Sequence, residues 1–171
     1  AVILAGGMGL RMRPLTYDRP KIMVLVNGRP FAEYLFDQLK SNGIERVSLL
    51  LGYLQEKVVE YAGDGSKFGL KVEYSIGKLD EGTATRLKNA EHMLDEEFLL
   101  MYCDNYIRLD MDAYMNFHKA GGALATVTVY SNKFGATKNN VLVDSDGYVL
   151  KYDKSRVAPG LNGVELGFFL M

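Results

Sequence analysis

The stretch AVILAGGMGLRMRPLTYDRPK, residues 1–21, runs from an apolar strand, Ala1 to Ala5, into a glycine-rich loop and then into the cations Arg11, Arg13, Arg19 and Lys21. Gly6, Gly7 and Gly9 carry no Cβ, so their backbone can approach a ligand closely and point amide N–H groups at it. The cations neutralise what the amides cradle, and phosphate is the ligand that accounts for both halves. Ligands of open α/β sheets bind beyond the carboxyl ends of the strands, which is where this loop leaves Ala5. The stretch therefore predicts an α/β fold with a nucleotide at the edge of its sheet.

Spacing separates the phosphate-loop types. A P-loop needs four residues between its glycines and then Gly-Lys-Ser/Thr, but Gly9 is followed by Leu-Arg-Met-Arg-Pro. A dinucleotide fingerprint would put its third glycine at position 12, which is Met12, and Pro14 opposes a long helix starting at Gly9. A plain glycine turn beside a solvated basic stretch is the bland alternative. Charge argues against it: residues 1–30 carry a balance of +4 in a chain of net charge −1. The cations gather where the glycines are.

Outward from this stretch, composition sets bounds. With 171 residues, 48% hydrophobic and 24% charged, the chain has the length and balance for one sizeable core. Near-neutral charge without basic–aromatic interleaving argues against nucleic acid as a partner. No apolar run approaches membrane-spanning length, and the N-terminus is a core strand, unlike a signal peptide. A single cysteine, Cys103, excludes an intrachain disulfide and suits a reducing compartment, so the expected location is cytoplasmic. The chain opens inside its first strand without an initiator Met and stops at Met171 after the apolar run Leu166 to Leu170. It is read as one domain, residues 1–171, cut short at its ends.

Strand and helix patterns alternate through the first two thirds. Pro30 at a first helical position, with Phe31, Leu35 and Leu39 on one face and Asn42-Gly43 at the end, predicts a helix. Val47 to Leu51 predicts a strand, Gln55 to Tyr61 a short helix, Lys71 to Ser75 a strand, Thr83 to Leu94 a helix and Phe98 to Cys103 a strand. Such alternation implies a parallel sheet covered on both faces. From Leu124 onward strands dominate: Leu124 to Tyr130, Asn140 to Val143, Tyr148 to Tyr152 and Val164 to Leu170, with a hairpin turn at Asp146-Gly147. These are expected on the antiparallel or mixed side of the same sheet.

Asp104 follows the strand ending at Cys103, so it falls on the edge that carries the glycine loop. A carboxylate there suits Mg²⁺, which binds through one or two carboxylates plus substrate phosphates. A turn aspartate in Asp104-Asn105 is the alternative.

The ordered series Leu4-Ala5-Gly6-Gly7-x-Gly9-x-Arg11, Pro14-Leu15-Thr16 and Pro20-Lys21 resembles the signature of the sugar-phosphate nucleotidyltransferases, the NDP-sugar pyrophosphorylases. The resemblance implies a Rossmann-like nucleotidyltransferase fold, a mixed, mostly parallel central sheet flanked by helices. It also implies transfer of a nucleotidyl group from a nucleoside triphosphate to a sugar 1-phosphate with release of pyrophosphate. Asp104 stands where the family has a metal-binding aspartate, with Cys103 replacing the usual glycine before it. Arg11 and Lys21 correspond to the catalytic cations, and Leu4, Ala5, Gly6, Gly7 and Gly9 to the nucleotide loop. Glu81-Gly82-Thr83-Ala84 resembles the family's Leu-Gly-Thr-Ala loop, which places Gly82 against the nucleobase, while Thr85-Arg86 departs from the usual small pair. Position 77, where the family often has a base-reading Gln or Glu, is Gly77. Asp153-Lys154 stands where a Glu-Lys pair meets the sugar and its phosphate, and Asn162 with Gly167 keeps the spacing of a later segment. Leu10 replaces a frequent Thr. A second metal carboxylate is not assignable.

Other features carry less. Gly63 to Gly69 lacks Gly-Lys-Ser order and reads as the turn before Lys71. His92 and His118 have no second ligand at metal spacing, and no nucleophile elbow occurs. Two rival readings remain: a catalytically inactive, nucleotide-binding regulatory subunit of the same fold, and a nicotinamide-dependent oxidoreductase. The partners expected are a nucleoside triphosphate and a sugar 1-phosphate, with neither nucleic acid nor membrane; homo-oligomerisation stays open.

Overall fold

A computed structural model describes all 171 residues. In chain order the elements are β1 (Val2–Ala5), β2 (Leu25–Val26), β3 (Arg29–Pro30), α1 (Phe31–Ser41), β4 (Arg46–Leu51), α2 (Gln55–Ala62), β5 (Lys71–Ile76), α3 (Thr83–Asn89), β6 (Leu99–Tyr102), α4 (Met111–Gly121), β7 (Thr126–Tyr130), β8 (Val141–Val143), β9 (Val149–Tyr152) and β10 (Val164–Leu170). Six of the strands form one sheet in the order β5-β4-β1-β6-β10-β7. The first four run parallel, and β10 and β7 close the far side antiparallel. This is the mixed, mostly parallel sheet that the sequence predicts.

The apolar runs of β1 and β4 are continuous because both sheet faces are covered. Successive residues point to opposite faces. Ile3 and Ala5 join a large cluster with Leu35, Phe36 and Leu39 of α1 and Val58 of α2. Val2 faces the other way, into a smaller cluster with Leu50, Leu100 and Ala90. Burying a side chain such as Leu49 or Ile3 completely contributes about 2 kcal/mol, so the middle of the sheet holds the fold together.

Register aligns the carboxyl ends. Ala5 pairs with Leu51, Leu51 with Ile76 and Leu4 with Tyr102. The loops that begin at Gly6, Gly52, Gly77 and Cys103 therefore leave one edge side by side. From β1 the chain builds outward to β4 and β5, then returns across to β6, so the order reverses between β1 and β6. Open α/β sheets bind ligands at such a reversal.

Three expectations shift, and one helix is added. Pro30 pairs with Leu25 and has an extended backbone (ψ 138°), so α1 starts at Phe31. The helix expected to reach Leu94 ends at Asn89, because Ala90 leaves the helical region to seat its fully buried methyl against Val2, Leu50 and Leu100. The residues from Leu124 onward do not all join the main sheet. β8 and β9 form a separate hairpin attached through a bridge between Val141 and Gly163, since β10 and β7 already complete that side and β9 is exposed throughout. Finally, α4 is a helix that the sequence reading did not delimit; Asp110 caps it by accepting from the Ala113 N–H at 2.9 Å, and Gly122 ends it at φ 58°. No helix is long and apolar enough to cross a membrane.

Candidate active site

The glycine loop has a fixed path. Gly9 adopts a left-handed conformation (φ 62°, ψ 32°) that side-chain-bearing residues disfavour. Its carbonyl accepts the Thr16 hydroxyl at 2.9 Å, and Thr16 is fully buried. Pro14-Leu15-Thr16 thus contributes a pin that holds the loop's return. Beyond it, Pro20 is buried and extended and Ile22 is fully buried, which anchors the short turn that carries Lys21.

These segments border an open cleft of about 560 Å³ along the carboxyl edge of β1, β4, β5 and β6. Most of the predicted residues line it: Leu4, Gly6, Gly7, Gly9 and Arg11 from the first loop, with Lys21, Gly82, Asp104 and Lys154. Lys21 and Asp104, 83 residues apart, meet in an ion pair in which the Lys21 ammonium donates to Asp104 Oδ2. Arg11 is exposed and has no carboxylate partner. The sequence expectation that distant segments converge on one edge is met for this group.

Three predicted residues lie elsewhere. Ala5 packs in the large core cluster and supports the loop from below. Asp153 folds its own turn: its carboxylate accepts from the Ser155 hydroxyl and from the backbone N–H groups of Ser155, Val157 and Ala158. Those donors, the Ser155 hydroxyl foremost, hold its pKa well below the usual carboxylate range. Asn162 spans the hairpin by donating to the Val143 carbonyl at 2.7 Å and accepting its N–H at 2.9 Å. Both side chains are spent on loop geometry, and Lys154 alone of this group reaches the cleft.

Cys103 sits at the cleft floor yet also packs in the core, and burial pushes its thiol up to about 12. It stays protonated at neutral pH and is a poor nucleophile. Gly167 of β10 has φ 79°, and a Cβ there would strike the Tyr102 ring and the Asn105 amide. That close approach lets Asn105 donate to the Leu166 carbonyl at 2.7 Å, which fixes the turn after Asp104. Gly82 caps α3 without a side-chain hydrogen bond.

Sequence reading missed Arg86. Its guanidinium is buried at the β4/β5 end of the cleft, where it donates to the carbonyls of Leu51 (2.7 Å), Glu81 (3.2 Å) and Lys78. Three glycines make room for it. A Cβ on Gly6 would fall 2.7 Å from Nε, one on Gly52 2.9 Å from Nη2 and one on Gly77 2.8 Å from Nη1. The signal was present in the sequence as a glycine directly after each of three strands, paired with a large cation where a small residue is usual.

Comparison with known proteins agrees with this geometry. The sequence model of the nucleotidyl transferase family matches residues 1–149. A UTP–glucose-1-phosphate uridylyltransferase of Haloferax volcanii, AglF, is 32% identical over 171 residues, covering 99% of this chain and 70% of the relative. A UTP–glucose-1-phosphate uridylyltransferase of Synechocystis is 28% identical over 169 residues; the match covers 92% of this chain but 42% of that protein. Among solved structures, HddC of Yersinia pseudotuberculosis complexed with GMP-PN shares the fold with a TM-score of 0.81 at 24% identity, covering 99% of this chain and 75% of that one. Loop, sheet edge and sequence match converge: the chain belongs to the nucleotidyl transferase family.

Proposed function

We propose that this chain transfers a nucleotidyl group from a nucleoside triphosphate to a sugar 1-phosphate, releasing pyrophosphate and forming an NDP-sugar. The observation that carries the reading is the meeting of Lys21 and Asp104 beside the glycine loop, where the strand order reverses between β1 and β6. Phosphoryl and nucleotidyl transfers ask a protein for positioning and charge neutralisation more than for covalent chemistry, and the cleft offers both. The one thiol at its floor, Cys103, stays protonated and so does not compete as a nucleophile.

In this reading the Gly6-Gly7-x-Gly9 backbone receives the triphosphate, and Arg11 holds the β and γ phosphates with its planar fork. An oxygen of the sugar phosphate attacks the α-phosphorus, the bond from that phosphorus to the β-phosphate's bridging oxygen breaks, and pyrophosphate leaves. Lys21 stabilises the charge on the α-phosphoryl oxygens as it moves away from Asp104. Lys154 meets the phosphate of the incoming sugar. Asp153 acts one step back, since the turn it organises sets the position of Lys154.

Asp104 would hold Mg²⁺. Its carboxylate lines the cleft beside the glycine loop, where substrate phosphates would share the ion, and Mg²⁺ commonly takes one or two carboxylates and completes its shell with phosphate oxygens and water. Bound there, the ion would supply neutralisation of phosphate charge.

Pyrophosphate release with Mg²⁺, measured for each common nucleoside triphosphate against a panel of sugar 1-phosphates, tests the proposal. The expected result is release that requires one nucleotide–sugar pair and disappears in Asp104→Ala. Nucleotide binding without release from any pair would instead support the regulatory-subunit reading.

A further inference from the structure

The cleft has two unlike ends, set on opposite sides of β1. At the β6 end stand Lys21 and Asp104; at the β4/β5 end stands the buried Arg86 guanidinium with the Glu81 side chain beside it. Three of the five N–H groups of Arg86 are committed to the carbonyls of Leu51, Lys78 and Glu81, which leaves two. Glu81 Oε2 lies against Gly77, buried and without a hydrogen-bond partner. A buried polar atom left unpaired is costly, so this end of the cleft is built for a ligand that brings both an acceptor and a donor.

A phosphate does not meet that need. It would pair with Arg86 but be repelled by the Glu81 carboxylate, whereas a neutral base edge satisfies both. A keto oxygen offers two lone pairs to the two remaining Arg86 N–H groups, and a neighbouring ring N–H can donate to Glu81. Guanine, uracil and thymine carry that edge. The corresponding edges of adenine and cytosine also set an acceptor beside a donor, but their ring nitrogen has one lone pair, so it pairs with one Arg86 N–H and leaves the other unpaired. We infer that Arg86 and Glu81 read the nucleobase at the β4/β5 end of the cleft and select keto bases over cytosine and adenine. Gly6, Gly52 and Gly77 serve this arrangement by leaving space for the guanidinium. The inference rests on the nucleotidyl-transfer reading for the presence of a nucleotide, but its test needs no transfer.

Equilibrium binding of GTP, UTP, TTP, CTP and ATP, without sugar phosphate, is compared with binding of inorganic tripolyphosphate for wild type, Arg86→Lys and Glu81→Gln. Wild type is expected to prefer at least one keto nucleotide over both CTP and ATP by tenfold or more. Each variant is expected to lose about tenfold of that preference while tripolyphosphate affinity stays within about twofold, because a site built for hydrogen bonds discriminates through the groups left unpaired. Unfolding curves establish that the variants are folded. Unchanged base preference in both folded variants would show that Arg86 only staples the loops together, and a parallel loss of tripolyphosphate affinity in Arg86→Lys would make it a phosphate ligand; either overturns the inference. Keto selectivity that depends on Arg86, in a protein that releases no pyrophosphate, would contradict the transfer reading and leave this one standing.

Discussion

Two cations that line the cleft, Lys21 and Arg86, are held in opposite ways. Lys21 is half-buried on a short turn, and its partner is one carboxylate from a distant segment. Arg86 is buried on α3 and fixed by three backbone carbonyls from the chain between β4 and α3. A charge paired with one movable side chain can be handed to a substrate as charge develops; a charge locked to backbone keeps its place and shapes what enters. The difference teaches that the β6 end suits chemistry and the β4/β5 end suits recognition. It also predicts that substitutions at the two ends fail differently.

The largest effect is expected from Asp104→Ala, which removes the proposed metal ligand and should lower kcat by about 10³-fold or more with little change in the unfolding temperature. A substantial loss of stability without loss of turnover would reverse the contrast. Lys21→Ala should follow, with kcat down about 10²-fold and a smaller change in KM, as expected for an interaction that strengthens in the transition state; steady-state kinetics with both substrates varied separates the two parameters.

Arg86→Ala should act first on the fold. It removes three hydrogen bonds from a charged donor, one buried and two partly buried; the Leu51 and Lys78 carbonyls keep the Gly77 and Glu81 N–H groups, and the Glu81 carbonyl loses the guanidinium, for a loss of about 3 kcal/mol, or roughly 10 °C in thermal unfolding. Arg11→Ala, exposed and without a carboxylate partner, should unfold with wild type while weakening triphosphate binding. Calorimetry on the two variants side by side checks the pair, and equal unfolding temperatures would break the distinction between a fixed and a free cation.

The phosphate end was legible in the sequence because its parts are local. Gly6-Gly7-x-Gly9, Arg11 and Lys21 lie within one short stretch, and Asp104 directly follows an apolar strand, so each could be placed on the sheet edge from its neighbours. The recognition end was not legible, since it depends on register: Gly6, Gly52 and Gly77 surround Arg86 only because β1, β4 and β5 end level. Asp153 and Asn162 mark another limit. Their residue types suit sugar hydroxyls and loop capping equally, and the backbone N–H groups nearby decide for capping. The separate β8–β9 hairpin escaped because a short strand's pattern does not say which sheet it joins.

The smallest expected effect concerns Asp153. Its carboxyl is held below the usual range in the folded chain, so the stability it adds is present above the ordinary aspartate pKa and fades as pH falls toward the lower folded value. The group is exposed, so solvent keeps the contribution small. Asp153→Asn should flatten this acid limb of the stability profile and raise KM for the sugar phosphate through Lys154, while affinity for the triphosphate stays the same. A matching loss of triphosphate affinity would show that the turn serves the whole cleft.

The central claim is that a sugar phosphate oxygen attacks the α-phosphorus of a nucleoside triphosphate, and the most direct test follows oxygen. With a sugar 1-phosphate labelled with oxygen-18 in its non-bridging phosphate oxygens, turned over with each nucleoside triphosphate in the presence of Mg²⁺, the account predicts that all of the label is retained in the NDP-sugar and that the pyrophosphate is unlabelled by mass spectrometry. Label in the pyrophosphate, or no NDP-sugar from any pair, would contradict it.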